Sequence, residues 1–312
     1  MAPWPTVHPR PIGPWTMSRA DGAWAILEPE CGTVTPIDPA DDAALPALAP
    51  ALERGRLIGY RAGRRAVIST GSSYVKILRP RRMERVRCLH QLVPSSDIRV
   101  PEVLASSTTG ALELAPIGGT SLHARLRGGQ SPLASLRTIG RSLAALHATP
   151  PSAELQQREQ DSPARWIDTV ARAEVDARPD LERVAAELPP LASLMNRPAS
   201  VVHGDLHDKN VFTSGGDVGL IDLDSLGIGP AETDLGNLGV HLRLRALQAG
   251  QSPAVGDRHA GELYEAYSAL RPLDCQALAV VERHTWFRLS CLYRFRAGSR
   301  PLVPELLRRA RG

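Results

Sequence analysis

The chain has 312 residues, enough to bury a substantial core as one bilobal unit or two domains. Its composition is globular, 43% hydrophobic, and no apolar run is long enough to span a bilayer. A net charge of +4, aromatics at 4% and the lack of a groove-reading or base-stacking motif argue against nucleic acid as a partner.

Residues 1–50 read as an arm punctuated by prolines and acids. It carries Trp4, Trp15 and Trp24, shows no signal-peptide pattern, and contains one short hairpin around Trp24 to Val34. Two strand-like segments follow, Leu57–Tyr60 and Ala66–Ile68, joined by the basic turn Arg61-Ala62-Gly63-Arg64-Arg65, which reads as a solvated charged turn. Ser73–Leu78 alternates like a strand and carries Lys76. Of 37 basic residues only Lys76 and Lys209 are lysines, so a lysine here is not incidental. A compact ammonium on a strand suits the α and β oxygens of a triphosphate. Pro80 to Val93 reads as a helix with Met83, Val86, Leu89 and Leu92 on one stripe. Between Lys76 and Pro101 the only acids are Glu84 and Asp97, and Asp97 falls in a Pro-Ser-Ser loop. A phosphate-gripping lysine is commonly held by a glutamate on the next helix, which leaves Glu84 as the partner by elimination; an ordinary surface glutamate is the alternative.

Ala111–Pro116 reads as a strand running into Gly118-Gly119. Leu133, Leu136, Ile139, Leu143 and Leu146 recur at helical spacing, ending at His147, which reads as a structural histidine. Helices are expected over about 163–178 and 180–195. Then comes the most informative run, His203-Gly204-Asp205-Leu206-His207-Asp208-Lys209-Asn210, followed by Ile221-Asp222-Leu223-Asp224. Asn210–Ser214 and Val218–Asp222 read as paired strands around Gly215-Gly216-Asp217. A three-residue loop would set Asn210 directly opposite Asp222, with amide oxygen and carboxylate converging on one face. Hard oxygen ligands that converge with phosphate oxygens suit Mg²⁺. Past Asp234 the pattern is helical again through Leu244, and residues 259–311 read as two or three helices.

His-x-Asp-x-x-x-x-Asn followed by Ile-Asp-x-x resembles the catalytic and metal motifs of the aminoglycoside phosphotransferase and choline kinase-like superfamily. The resemblance covers about residues 60–244. It implies an α+β, bilobal, protein-kinase-like fold: a small β-rich N-lobe over 51–116 and a larger, mainly helical C-lobe over 117–312. It implies that Asp205 orients and deprotonates an acceptor hydroxyl, that Asn210 and Asp222 hold Mg²⁺ under the phosphates, and that Lys76 with Glu84 grips the nucleotide. The 61–65 turn takes the place of a nucleotide-covering loop, although no Gly-rich repeat is present. By position, the segment after Ala111 resembles the interlobe hinge, with adenine read by backbone groups near Glu113 and Ala115. Gly229-Pro230 and Asp234-Leu235-Gly236-Asn237 resemble a segment whose Asp supports the catalytic loop. His207 stands where protein kinases carry a lysine two residues after the catalytic Asp, and so joins the nucleotide side. Asp224 is open between a metal contact and a capping role, and Lys209 between phosphate and solvent.

The implied activity is transfer of the γ-phosphate of Mg-ATP, with GTP as an alternative donor, to a hydroxyl of a small molecule: an antibiotic such as an aminoglycoside, or a related metabolite. A sugar, choline or amino-alcohol kinase of primary metabolism, or a nucleotide-binding pseudokinase with a regulatory role, are the alternatives. The basic tail argues weakly against a polycationic acceptor. Asp161, Asp168, Glu262, Glu265 and Glu282 are the acids that lie where such proteins shape the acceptor pocket. Cys31, Cys88, Cys275 and Cys291 lack Cys-x-x-Cys spacing and fit a reduced, cytoplasmic protein. No membrane partner is expected, and the protein is expected to be a monomer or homodimer.

Overall fold

The structure, a computed structural model, describes residues 6–19, 21–93, 98–158, 162–194 and 197–312. Trp4, Asp97, Asp161 and Met195 lie outside the described residues. Sheets dominate the first third and helices the remainder, the α+β, bilobal arrangement expected.

A five-stranded antiparallel sheet runs in the order Arg56–Arg61, Arg65–Ser69, Tyr74–Leu78, Ala111–Leu114, Val103–Ser106. Lys76 sits on its central strand, opposite Val67 on one side and Leu112 on the other. Val75 and Ile77 pack with Ile68, Ala66 and Tyr60 in the core of this sheet. The helix Pro80–Leu89 follows directly, with Pro80 in its first turn, where a missing N–H costs nothing.

The first residues hold more structure than a single hairpin. Thr6–His8, Trp15–Ser18, Trp24–Glu28 and Thr33–Ile37 form a four-stranded antiparallel meander. Its anchor is Trp15, fully buried, whose ring meets Phe295 edge-on at 4.7 Å between centroids. That contact, about 280 positions away in sequence, leaves no local signal.

The helical region packs around Leu133–Ala148, Glu232–Gln248, Pro253–Ser268 and Cys275–Tyr293, with Val303–Arg311 closing the end. Three helices thus fill the stretch expected to hold two or three. The segment expected as one helix over 180–195 is Arg178–Ala186 followed by a short 3-10 turn, because Pro189-Pro190 cannot continue a helix. Leu136, Ile139 and Leu143 join Leu206, Leu220, Leu235 and Leu238 in the core beneath the 203–210 segment. Among the described residues, no helix is long and apolar enough to cross a membrane.

Candidate active site

The hairpin that carries the motif is Val211–Ser214 paired with Asp217–Leu220. Gly215 and Gly216 have φ of +56° and +97°, the two positive values of a two-residue turn that suits strand twist. Asp217 therefore belongs to the strand, opposite Ser214, rather than to the turn. The register moves by one residue from the three-residue reading: Asn210 accepts from the Ile221 N–H at 3.0 Å and is not directly opposed to Asp222. Asp222 instead leaves the strand through a left-handed backbone, φ +62°, the only such non-glycine among the described residues. Strain of this kind persists only where the surroundings enforce it.

Those surroundings are ionic. Lys76 Nζ lies 2.8 Å from Asp222 Oδ1 and also donates to Asp224 Oδ1. Arg65 Nη1 reaches Asp222 Oδ1 at 3.0 Å and Asp224 Oδ2 at 3.2 Å. Burial disfavours a charge on Asp222, but Lys76 and Arg65 outweigh it and hold the carboxyl well below its usual range. Lys76 is only 6% exposed, so its two carboxylate partners are what make a buried ammonium tenable.

The 203–210 segment is fixed from beneath. Asp234 is fully buried and accepts from the His203 N–H at 2.7 Å, the Gly204 N–H at 2.8 Å and His147 Nε2 at 3.2 Å. Burial would raise its pKa, but the bond from His147 and the nearby N–H groups bring it below the usual value. His203 Nε2 donates to the Ile221 carbonyl at 2.9 Å while Nδ1 accepts from the Asp205 N–H at 3.3 Å. One imidazole thus ties the Asp205 backbone to the strand that delivers Asp222. Asn237 Nδ2 donates to the Leu206 carbonyl at 2.8 Å, and Asn210 Nδ2 to the Asp205 carbonyl at 3.1 Å. Gly204 has φ +81°, and a Cβ there would lie 2.5 Å from the Ser225 carbonyl oxygen, so only glycine fits.

Asp205, Asp222 and Asp224 line one cleft of about 160 Å³ together with Arg61, Arg64, Arg65 and Arg82. The turn read as solvated is therefore a wall of this cleft. Arg61 is held down to about 10, first by burial and then by its neighbours Arg65 and Arg64. Outside the cleft lining, Arg288 Nη1 lies 3.9 Å from Asp205 Oδ1 and its Nη2 donates to Asn237 Oδ1 at 2.6 Å.

Other expected residues fall elsewhere. Glu84 is exposed and pairs with Arg87 and Cys88 on its own helix, not with Lys76. The reason is helical phase: Met83, Val86 and Leu89 face inward, and Glu84 is turned toward solvent. The counter-charge for Lys76 comes from Asp222 and Asp224 instead. The Glu113 side chain turns to Ser73 and Arg54, at 2.6 and 2.8 Å. The Ala115 N–H is spent on the Glu102 carbonyl at 2.9 Å, so it is not available to an adenine ring. His207 lies against His241, with ring centroids 5.2 Å apart, and outside the cleft lining. Lys209 is exposed. Asp224, Arg65, Arg61 and Arg288 carry site geometry that the motif spacing did not assign. The basic turn was a visible signal for two of them, whereas Arg288 had none.

For a cation, the oxygen donors are hard: the carboxylates of Asp222 and Asp224 line the cleft, and Asn210, outside that lining, has an amide oxygen whose nitrogen is already engaged. Among the described residues, no group of three or more His, Cys, Asp or Glu forms an all-protein cage. That chemistry fits Mg²⁺, which keeps water and phosphate ligands, and does not fit zinc.

The sequence pattern of the phosphotransferase enzyme family matches residues 61–273. No curated protein matches the chain. Among solved structures, the chain is similar to the aminoglycoside phosphotransferase APH(3'')-Id from Streptomyces rimosus, at 22% identity and a TM-score of 0.54, over 76% of this chain and 92% of that one. A choline/ethanolamine kinase family protein from Mesorhizobium loti gives 17% identity and a TM-score of 0.57, over 87% and 91%. The amicoumacin kinase hAmiN, solved with AMP-PNP, Ca²⁺ and its antibiotic, gives 14% identity and a TM-score of 0.52, over 83% and 88%.

Proposed function

The chain belongs to the phosphotransferase enzyme family, and from that premise we propose that it moves the γ-phosphate of ATP, with Mg²⁺, to a hydroxyl of a small molecule. One observation carries the reading: Asp205, Asp222 and Asp224 share a single cleft with Lys76-paired carboxylates on one side and arginines on the other.

In this reading Asp205 accepts the hydrogen bond of the acceptor hydroxyl and aligns its oxygen for in-line attack. Its carboxylate is 43% exposed, while its backbone is fixed by His203 and Asn210. Little covalent work falls to the protein, so rate comes from positioning and charge. Lys76, Arg65 and Arg61 meet the negative charge of the phosphates. Asn210 and Asp222 would hold the Mg²⁺, which would neutralise the phosphoryl oxygens. Residues 51–116 serve as the nucleotide-covering lobe, and 117–312 carry the catalytic segment and the acceptor side. The four cysteines are unpaired, which suits a reducing, cytoplasmic setting.

The test is ADP release from Mg-ATP against a panel of aminoglycosides, other hydroxylated antibiotics, sugars and amino alcohols. Asp205→Ala should lose transfer by roughly three or more orders of magnitude while still binding Mg-nucleotide, because the metal-holding side chains remain. Equal loss of nucleotide binding would sink the role given to Asp205.

A further inference from the structure

The charges around Asp205 point to the kind of acceptor, an inference that rests on the phosphotransferase reading above. We propose that the acceptor is anionic: a small hydroxylated molecule with a carboxylate or phosphate close to the reacting hydroxyl, bound by Arg288.

The cleft is crowded with cations. Arg61, Arg64 and Arg82 line it, and among the described residues none of them makes an ion pair. Lys76 and Arg65 are opposed by Asp222 and Asp224. Counting Arg64 and Arg82 as well, the cations of the nucleotide side outnumber the three aspartates of the cleft. A bound Mg-ATP complex, with about two negative charges, brings that side close to balance. Arg288 is the charge left over. It stands beside the carboxylate that receives the acceptor hydroxyl, 3.9 Å from Asp205 Oδ1, and Asn237 fixes its other nitrogen at 2.6 Å. A guanidinium so anchored is a planar fork suited to an oxyanion.

Of the acids expected around the acceptor, Asp161 lies outside the described residues, Glu265 is exposed, and the other three are committed elsewhere. Asp168 pairs with Arg178, Glu262 with Arg137, and Glu282 with Arg243 and Tyr264. Asp208, three residues after Asp205, is fully buried between Arg245 and His123. Burial lowers the pKa of both nearby imidazoles; Asp205 and Asp208 work against it at His207, whereas His207 and then Arg288 add to it at His241. A cationic acceptor would meet like charge at Arg288, which is a means of rejection as well as selection.

The experiment uses matched probes with the full chain. Glycerate is compared with glycerol, gluconate with glucose, and glycerol phosphate is added as the phosphate arm; choline and streptomycin form the cationic arm. Transfer is followed as ADP release, and binding by calorimetry with Mg²⁺ and AMP-PNP present. The anionic member of a pair should exceed the neutral one by about tenfold or more, the size of a charge-assisted hydrogen bond. Arg288→Ala should erase that preference through KM or Kd while leaving Mg-nucleotide affinity unchanged, and Arg288→Lys should restore part of it. The carboxylate and phosphate arms identify the oxyanion. A preference for choline or streptomycin, or a preference for anions that survives Arg288→Ala, overturns the proposal. So does a chain that binds Mg-nucleotide but none of the anionic probes, which leaves the phosphotransferase reading standing. Failure of the wild type to bind Mg-nucleotide at all defeats that reading instead.

Discussion

On the wall of the cleft built by residues 203–210, polar groups answer one another inside the protein. Asp234 gathers two backbone N–H groups and His147, His203 spans from Asp205 to Ile221, and Asn237 holds the Leu206 carbonyl. On the facing wall, Lys76 and Arg65 rest on a well-packed sheet, and their charged ends are matched by carboxylates from across the cleft. The first wall is set by buried hydrogen bonds whether or not a ligand is present. The second is set by charge, and a triphosphate would change those charges. Geometry that must not vary is built into the interior, and geometry that must respond to ligand is left to ions.

If that contrast holds, the largest effect belongs to Asp234→Ala. It would leave the His203 and Gly204 N–H groups and His147 unsatisfied in a dry interior, at a cost of about 3–5 kcal/mol by analogy with other broken buried pairs. Chemical denaturation would show it. The folded-state pKa of Asp234 lies below that of the unfolded chain. Its contribution is therefore complete above the unfolded carboxyl range, near pH 4, and is lost as pH falls through the folded value. Asp234→Asn should flatten the acid limb of the stability profile. A profile identical to wild type would mean that the buried network does not set this wall.

Lys76→Met comes next and tests the facing wall. Arg65 remains beside both Asp222 and Asp224, so neither carboxylate is left alone. Stability should fall by only about 1–2 kcal/mol, whereas Mg-nucleotide affinity should fall by roughly tenfold to a hundredfold. Calorimetry and a denaturant titration on the same sample separate the two. A stability loss as large as that of Asp234→Ala would erase the distinction between the walls.

The same contrast explains what could be read from the sequence. The buried wall is written in short spacings: His203, Asp205 and Asn210 lie within one loop, and a single hairpin carries the chain on to Asp222. The α+β architecture was legible through the family resemblance that the motifs at 203–210 and 221–224 carry, while hydrophobic periodicities marked individual strands and helices. The hairpin register was not, because two glycines or three residues both make a plausible turn, and only the positive φ at Gly215 and Gly216 decides between them. The facing wall depends on contacts such as Arg65 with Asp222, more than 150 positions apart, and the acceptor side on Arg288 beside Asp205. No local period encodes those. The Trp15–Phe295 contact that seats the first sheet was hidden for the same reason.

The smallest effect should be that of Glu84→Gln, and it sharpens the comparison because a kinase-like reading expects the opposite. If Glu84 held Lys76, its removal would loosen the lysine and raise the KM for nucleotide. In the structure Glu84 faces solvent and bonds Arg87 three residues on, the kind of exposed helix pair that contributes little. Lys76 already has its counter-charges in Asp222 and Asp224. The KM for ATP and the unfolding midpoint of Glu84→Gln should both match wild type within error, while Asp224→Asn, which takes a counter-charge directly from Lys76, should shift the nucleotide KM. A rise in KM for Glu84→Gln comparable to that of Lys76→Met would mean that the helix Pro80–Leu89 swings its glutamate inward when nucleotide binds, and that the lysine changes partners during the reaction.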